Sequence, residues 1–219
     1  MAFFYLTPDW FSGFDIALEL LFGIVTALVA FFSFKVYKVC EQRECKLFGW
    51  AFVFISLAYF LWPIINLFDL SDISEGVKGL DIENLSLLLL GSVYFYIIFF
   101  ILGLVTLIYI AFNLKNDKLY ALILSLSIIV VIFSSSPGLA FHFVSALLLL
   151  YISLHYFKKY KKLNDYNSFL VFGAFSLLFF ARFILIFSNT NHLLYVVNHL
   201  TELTAYIIIA ISLAKSLRT

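Results

Sequence analysis

Three charged side chains interrupt the long apolar runs of this chain: Glu19, Arg182 and Glu202. His142 and His199 fall within such runs too, His192 begins one, and His155 lies near a basic stretch. A charge at the centre of a membrane helix costs ~2.5–3.5 kcal/mol on insertion scales, so it faces the bundle interior and pairs, and its default reading is functional. A glutamate or histidine in that setting can bind a ligand or relay a proton. An arginine can bind an anionic group or hold a neighbouring carboxylate ionised.

The spacing of these residues says more than their number. Tyr195, Asn198, His199, Glu202 and Tyr206 recur every three or four positions, which places them on one face of a helix. Ser56, Tyr59, Pro63 and Asn66 form a weaker stripe, and Glu19, Gly23 and Thr26 a third. Lipid does not solvate such stripes, so they must face other helices or a water-filled cavity. At 1.5 Å per residue, Glu202 falls ~16 Å below the outer start of its helix, His199 ~12 Å, and Arg182 ~8 Å below the outer end of its own. Glu19 and His142 fall about one turn below the outer surface. The expectation is an outward-facing polar pocket whose ligand-binding or proton-relay candidates are Glu202, His199, Arg182, Glu19, His142, Tyr195, Asn198 and Tyr206. No catalytic residue is assigned. The competing reading is structural: Arg182 pairs with Glu202 or Glu19, and the remaining groups bond across helices to fix packing.

The elements that must position these groups are membrane helices. The 219 residues are 64% hydrophobic and 12% charged, with a mean hydropathy of +1.06. A soluble domain is nearer 45–50% apolar and about 25% charged. Apolar runs predict an all-α integral membrane bundle, a single domain over 1–219. Its spans lie at about 14–34, 47–68, 85–114, 119–133, 139–157, 167–187 and 192–214. Pro63 is expected to kink the second span.

Charge position orients the bundle. Of the 14 Lys and Arg residues, 12 fall in four short stretches, at 35–46, 115–118, 158–162 and 215–218. These alternate with acidic or uncharged connections, most clearly the one holding Asp69, Asp72, Glu75, Asp81 and Glu83. By the positive-inside rule the N-terminus is outside and the C-terminus cytoplasmic. The N-terminal segment carries Asp9 and Asp15 and no basic stretch, so it reads as an uncleaved lead into the first span. The expected setting is the cell membrane, with lipids as partners.

The remaining residue types exclude several classes. The net charge of +1 gives no support for a nucleic-acid partner. Cys40 and Cys45 flank a cytoplasmic loop, where reduced thiols are the default. Two thiols make no zinc site, which needs four ligands when structural. No metal or other cofactor is expected. A zinc-dependent membrane hydrolase built from His142, His192, His199 and Glu202 is a minor alternative, because no His-x-x-x-His spacing supports it. A retinal protein would need a lysine midway along the seventh helix, whereas Lys215 stands at its cytoplasmic end.

Short internal echoes suggest a 3+1+3 organisation. Thr26–Ala27–Leu28 is echoed by Ser145–Ala146–Leu147, Ala58–Tyr59–Phe60 by Ala181–Arg182–Phe183, and Tyr96–Ile97–Ile98 by Tyr206–Ile207–Ile208. Helix 4 would then be the inverting linker between two parallel repeats, a layout like that of sugar transporters. In helix number and orientation the chain resembles prokaryotic seven-helix sensory modules of the membrane-associated sensor type. That resemblance implies a small ligand bound from the outer side and a change passed to the cytoplasmic side. The chain stops soon after helix 7, so a cytoplasmic or membrane protein partner is expected to carry any signal. The alternative is a transporter of a small solute or proton. It is less favoured because the inner halves of helices 2, 6 and 7 are almost wholly apolar.

Overall fold

The computed structural model describes residues 13–75, 82–113, 116–187 and 192–217, with side chains omitted at 62, 64–75, 82–90, 187 and 192. Among the described residues there are seven helices and no strands. They are α1 (Phe14–Cys40), α2 (Arg43–Glu75), α3 (Ile82–Ala111), α4 (Asp117–Ile132), α5 (Pro137–Leu163), α6 (Tyr166–Phe187) and α7 (His192–Ser216). All but α4 are long and apolar enough to cross a membrane. The chain is therefore a multi-pass helical membrane protein.

Local chemistry sets most of the ends. Glu41 and Asn164 adopt the left-handed conformation that closes α1 and α5, each sending its N–H back to a tyrosine carbonyl four residues earlier. Pro137 opens α5, where its missing N–H costs nothing. Asn116 caps α4 by accepting from the Lys118 N–H at 3.0 Å. Asp165 caps α6: its Oδ2 accepts from the Ser168 N–H at 3.1 Å and from the Ser168 hydroxyl at 3.3 Å.

Several helices outrun their apolar spans. α1 continues to Cys40 rather than stopping near 34, and α5 to Leu163 rather than 157. The lysines at 35, 38 and 158–162 are good helix formers whose charged ends reach water while their stems lie on the helix. α2 starts at Arg43 and is helical through Pro63 as far as Glu75, well into the expected outer connection. α3 stops at Ala111 rather than 114, with Asn113 turned into the left-handed region.

Six helices form a closed ring in the order α1, α2, α3, α5, α6, α7, and α4 packs outside it against α3 and α5. Neighbours are antiparallel except at two seams. Along α3·α5, Tyr96 and Phe100 meet Phe141 while Phe112 stacks on Tyr151, so these helices run in the same direction. Along α1·α7, Asp15 meets Tyr195 while Phe22 meets Tyr206, again parallel. Parallel α3 and α5 require α4 to carry the chain back to the outer side. Its 16 residues rise about 24 Å, short of the ~30 Å hydrocarbon core, so the Ser134–Ser136 turn lies close to the apolar layer.

This ring fits the 3+1+3 expectation. Replacing α1, α2 and α3 by α5, α6 and α7 maps the set of ring neighbours onto itself. The burial pattern agrees fully for one of the three echoes, that of Ala58–Tyr59 with Ala181–Arg182, and in part for the first, where Ala27 is exposed and Ala146 buried. Thr26 and Ser145 are both fully buried, as are Ala58 and Ala181, and likewise Ala51 with Ala174 and Phe52 with Phe175. The third echo is out of register, because Ile97 is buried while Ile207 is exposed.

Close approach holds α2 against its neighbours. A Cβ on Gly103 of α3 would meet the Ala51 carbonyl oxygen at 2.8 Å and Ile55 at 2.6 Å. A Cβ on Gly23 of α1 would touch the Phe60 ring at 2.9 Å, and the Gly23 carbonyl accepts from Ser56 across the interface at 2.8 Å.

Candidate functional site

The buried polar groups of the outer half separate into two clusters, with Phe22 of α1 between them. The inner cluster is built on α2, α6 and α7. Arg182 and Glu202 form an ion pair at 2.7 Å, with each side chain 4% exposed. The Tyr59 hydroxyl sits between them, donating to Glu202 Oε1 and accepting from Arg182 Nη2 at 2.9 Å. It also lies 3.0 Å from the Tyr206 hydroxyl. The guanidinium stacks over the Phe100 ring at 4.4 Å and lies 5.6 Å from the Phe141 centroid. Both aromatic faces add cation–π attraction in a site shielded from water. Tyr96 completes the wall on α3, with its hydroxyl turned to Arg182.

The outer cluster joins α1 to α7. The Tyr195 hydroxyl donates to both oxygens of Asp15, at 2.9 and 2.8 Å. His199 Nε2 lies 3.2 Å from Asp15 Oδ1, and its Nδ1 lies 3.0 Å from the Tyr195 carbonyl oxygen. Glu19, one turn below Asp15, brings its carboxylate to the same place. Phe22 stacks on His199 at 5.8 Å and meets Tyr59 edge-on at 5.3 Å, so one ring touches both clusters.

Beneath the inner cluster the buried side chains are mostly apolar, with the Ser153–Ser176 hydroxyl pair at 2.7 Å on the α5–α6 seam. Phe52, Ile55, Leu104, Leu149, Ile152, Ala174, Phe175 and Ile209 are all buried in this layer. At the far end of the ring, where α1 ends and α2 begins, Arg43 donates to Tyr109 at 3.3 Å and Tyr109 donates to Asp117 at 3.0 Å.

The α7 stripe expected from spacing lies against the bundle: Asn198, His199, Glu202 and Tyr206 are buried, and Tyr195 is half-buried. Of the two pairings open to Arg182, the structure forms the one with Glu202. His142 is buried on α5 beside Phe141. The side chains of Asn66 and His192 lie outside the described residues.

Three contributors were not among the candidates, one of them Tyr96, which entered only in an internal echo. Tyr59 appeared only in the weaker α2 stripe, yet its hydroxyl is central to the inner cluster. Asp15 was read as an acid ahead of the first span. The signal that could have found it is its spacing of four from Glu19, which puts both carboxylates on one face of α1.

Several buried polar atoms have no hydrogen-bond partner among the described residues: Arg182 Nε, Asn198 Oδ1, Ser145 Oγ and Glu19 Oε2. Such atoms are rare in folded proteins, because each one costs ~1–3 kcal/mol of desolvation. They come from α1, α5, α6 and α7, all at the outer half. The arrangement can donate from Arg182, accept at Asn198 and Glu19, and pass a proton along the Tyr59–Tyr206 hydroxyls.

No family model, curated protein or solved structure matches the chain.

Proposed function

We propose that this protein is a receptor-like module of the cell membrane that binds a small polar ligand from the outer side and passes the change to a partner protein. The observation that supports this reading most is the inner cluster itself. An ion pair held by Tyr59 and Tyr206 at the level of the outer half still leaves Arg182 Nε and Asn198 Oδ1 unpartnered. Arg182 is already neutralised by Glu202, so a ligand that is neutral or zwitterionic overall suits the site better than a simple anion. The mostly apolar layer below favours binding over a continuous path.

The reading is tested by the thermal stability of the purified chain against a panel of small metabolites across pH. A ligand that binds only the folded state raises stability by mass action. Stabilisation by one chemical class, lost in Arg182→Gln and Glu202→Gln, is the expected result. No stabilisation by any solute, with both variants merely less stable, would make the ion pair a packing element and end this reading.

A transporter of a small solute or proton is the second reading. It is favoured by one observation, the ring whose neighbours map onto themselves under exchange of the two three-helix sets. Solute-dependent uptake into proteoliposomes would select it.

A further inference from the structure

Asp15 and Glu19 stand one turn apart on α1 and are only 7% and 8% exposed. Ligand-type atoms of these two carboxylates and of His199 lie within 4.8 Å of one another. The His199 ring is oriented by the Tyr195 carbonyl at 3.0 Å. A carbonyl oxygen only accepts, so this contact places the ring hydrogen on Nδ1. Nε2 faces Asp15 Oδ1 at 3.2 Å, a contact that calls for positive charge, supplied either by a second ring proton or by a bound cation. Glu19 Oε2, buried in the same cluster, has no hydrogen-bond partner among the described residues. Two adjacent buried carboxylates require compensation, and the guanidinium of Arg182 is held by Glu202 at 2.7 Å.

We infer that Asp15, Glu19 and His199 form a binding site for a divalent transition-metal cation of the zinc class, with Tyr195 as the residue that positions Asp15. The inference rests on the reading of an outward-facing binding site and names a ligand for its outer part. An imidazole with two carboxylates suits zinc, iron or manganese, whereas calcium and magnesium prefer all-oxygen sets. A cation with bonds of ~2.0–2.2 Å to a tetrahedral set separates its ligand atoms by ~3.4 Å. The three side chains therefore need to close by little more than about an ångström, which rotamer adjustment supplies. Two carboxylates and one dication sum to zero charge, which suits a buried position. The Nδ1–H to carbonyl bond is the outer-shell support that fixes the tautomer of metal-binding histidines. Three protein ligands also leave a coordination position open, as in exchangeable or catalytic zinc sites.

The test uses the full chain in detergent, stripped of metal and titrated with Co2+, whose visible d–d bands report bound imidazole and carboxylate. The expected result is one Co2+ per chain, displaced by Zn2+. Asp15→Asn, Glu19→Gln and His199→Gln should each weaken binding by at least ~10-fold, since even outer-shell changes cost 10–100-fold. Glu19→His keeps three ligands and should retain Co2+ with shifted bands, which separates loss of a ligand from loss of the fold. Asp165→Asn, at the cytoplasmic end of α6, should leave binding unchanged. Absence of a Co2+ band in the folded wild-type chain overturns the inference, as does binding indifferent to all three ligand substitutions. A solute that still stabilises the chain through Arg182 in that case would leave the proposed function standing. Co2+ binding without any solute effect would support the cation site while the proposed function fails.

Discussion

Arg182 on α6 and Glu202 on α7 meet at 2.7 Å across an antiparallel helix pair, with the Tyr59 hydroxyl of α2 bonded to both. Each charge is acceptable there only because the other is present. Removing one partner of a buried pair costs about 3–5 kcal/mol, whereas replacing both with apolar groups of similar volume is often neutral or better. Arg182→Met and Glu202→Leu should therefore each lower stability strongly, and the double variant should recover most of the loss. Reversible unfolding in mixed micelles measures this cycle. Additive losses would show that the two side chains act independently.

The hydroxyls of the inner cluster should differ in weight. Tyr59 bonds Arg182, Glu202 and Tyr206, while Tyr206 meets the cluster through Tyr59. Tyr59→Phe leaves charged groups short of a partner and should cost about 1.5–3 kcal/mol. Tyr206→Phe should cost about 0.5–1.5 kcal/mol, the range for a neutral bond. The same unfolding assay ranks them, and the reverse order would displace Tyr59 from its central role.

Helix contact makes a third prediction. Gly103→Ala would drive a methyl group into the Ala51 carbonyl oxygen, which cannot move without shifting α2. A loss of about 1–3 kcal/mol is expected, as for other overpacked sites. Gly173→Ala, where nothing lies within 4 Å of the new Cβ, should be neutral or stabilising by up to about 1 kcal/mol. Thermal melts of the two variants side by side decide the matter.

Asp165 supplies a pH dependence outside the membrane. Hydrogen bonds from the Ser168 backbone hold its carboxyl below the usual aspartate value. Its folded-state pKa is thus lower than the unfolded value of ~3.9. The cap's contribution is complete above that value and fades as pH falls through the folded-state pKa. Asp165→Ala should cost about 0.5–2 kcal/mol at neutral pH. Asp165→Asn should keep most of the cap and flatten the acid limb of a stability–pH curve. An unchanged acid limb in the Asn variant would assign the pH dependence to other carboxylates.

The helices were legible in the sequence because apolar length and lysine placement are local signals. α7 shows this best: spacing alone put Asn198, His199, Glu202 and Tyr206 on one face, and all four are buried. The helix ends were less legible, since Lys35 and Lys158 can extend a helix into water as readily as end it. The meeting of Asp15 with His199 was not legible at all. It depends on α1 closing the ring against α7, a contact across nearly the whole chain that no local pattern encodes. Phe22 likewise read as one apolar residue among many, although its ring separates the inner cluster from the outer one.

During synthesis, α6 leaves the ribosome before α7 does. Its arginine then enters the translocon without the glutamate that neutralises it 20 residues later. An arginine inside an apolar span opposes partitioning into lipid, by ~2.5–3.5 kcal/mol at a helix centre and by less toward the end where Arg182 stands. Once α7 follows, the two charges can cancel within a single hairpin, and α6 and α7 enter the bilayer together. Loss of Glu202 would then be felt first as a failure of α6 to insert, before any folded bundle exists to be destabilised.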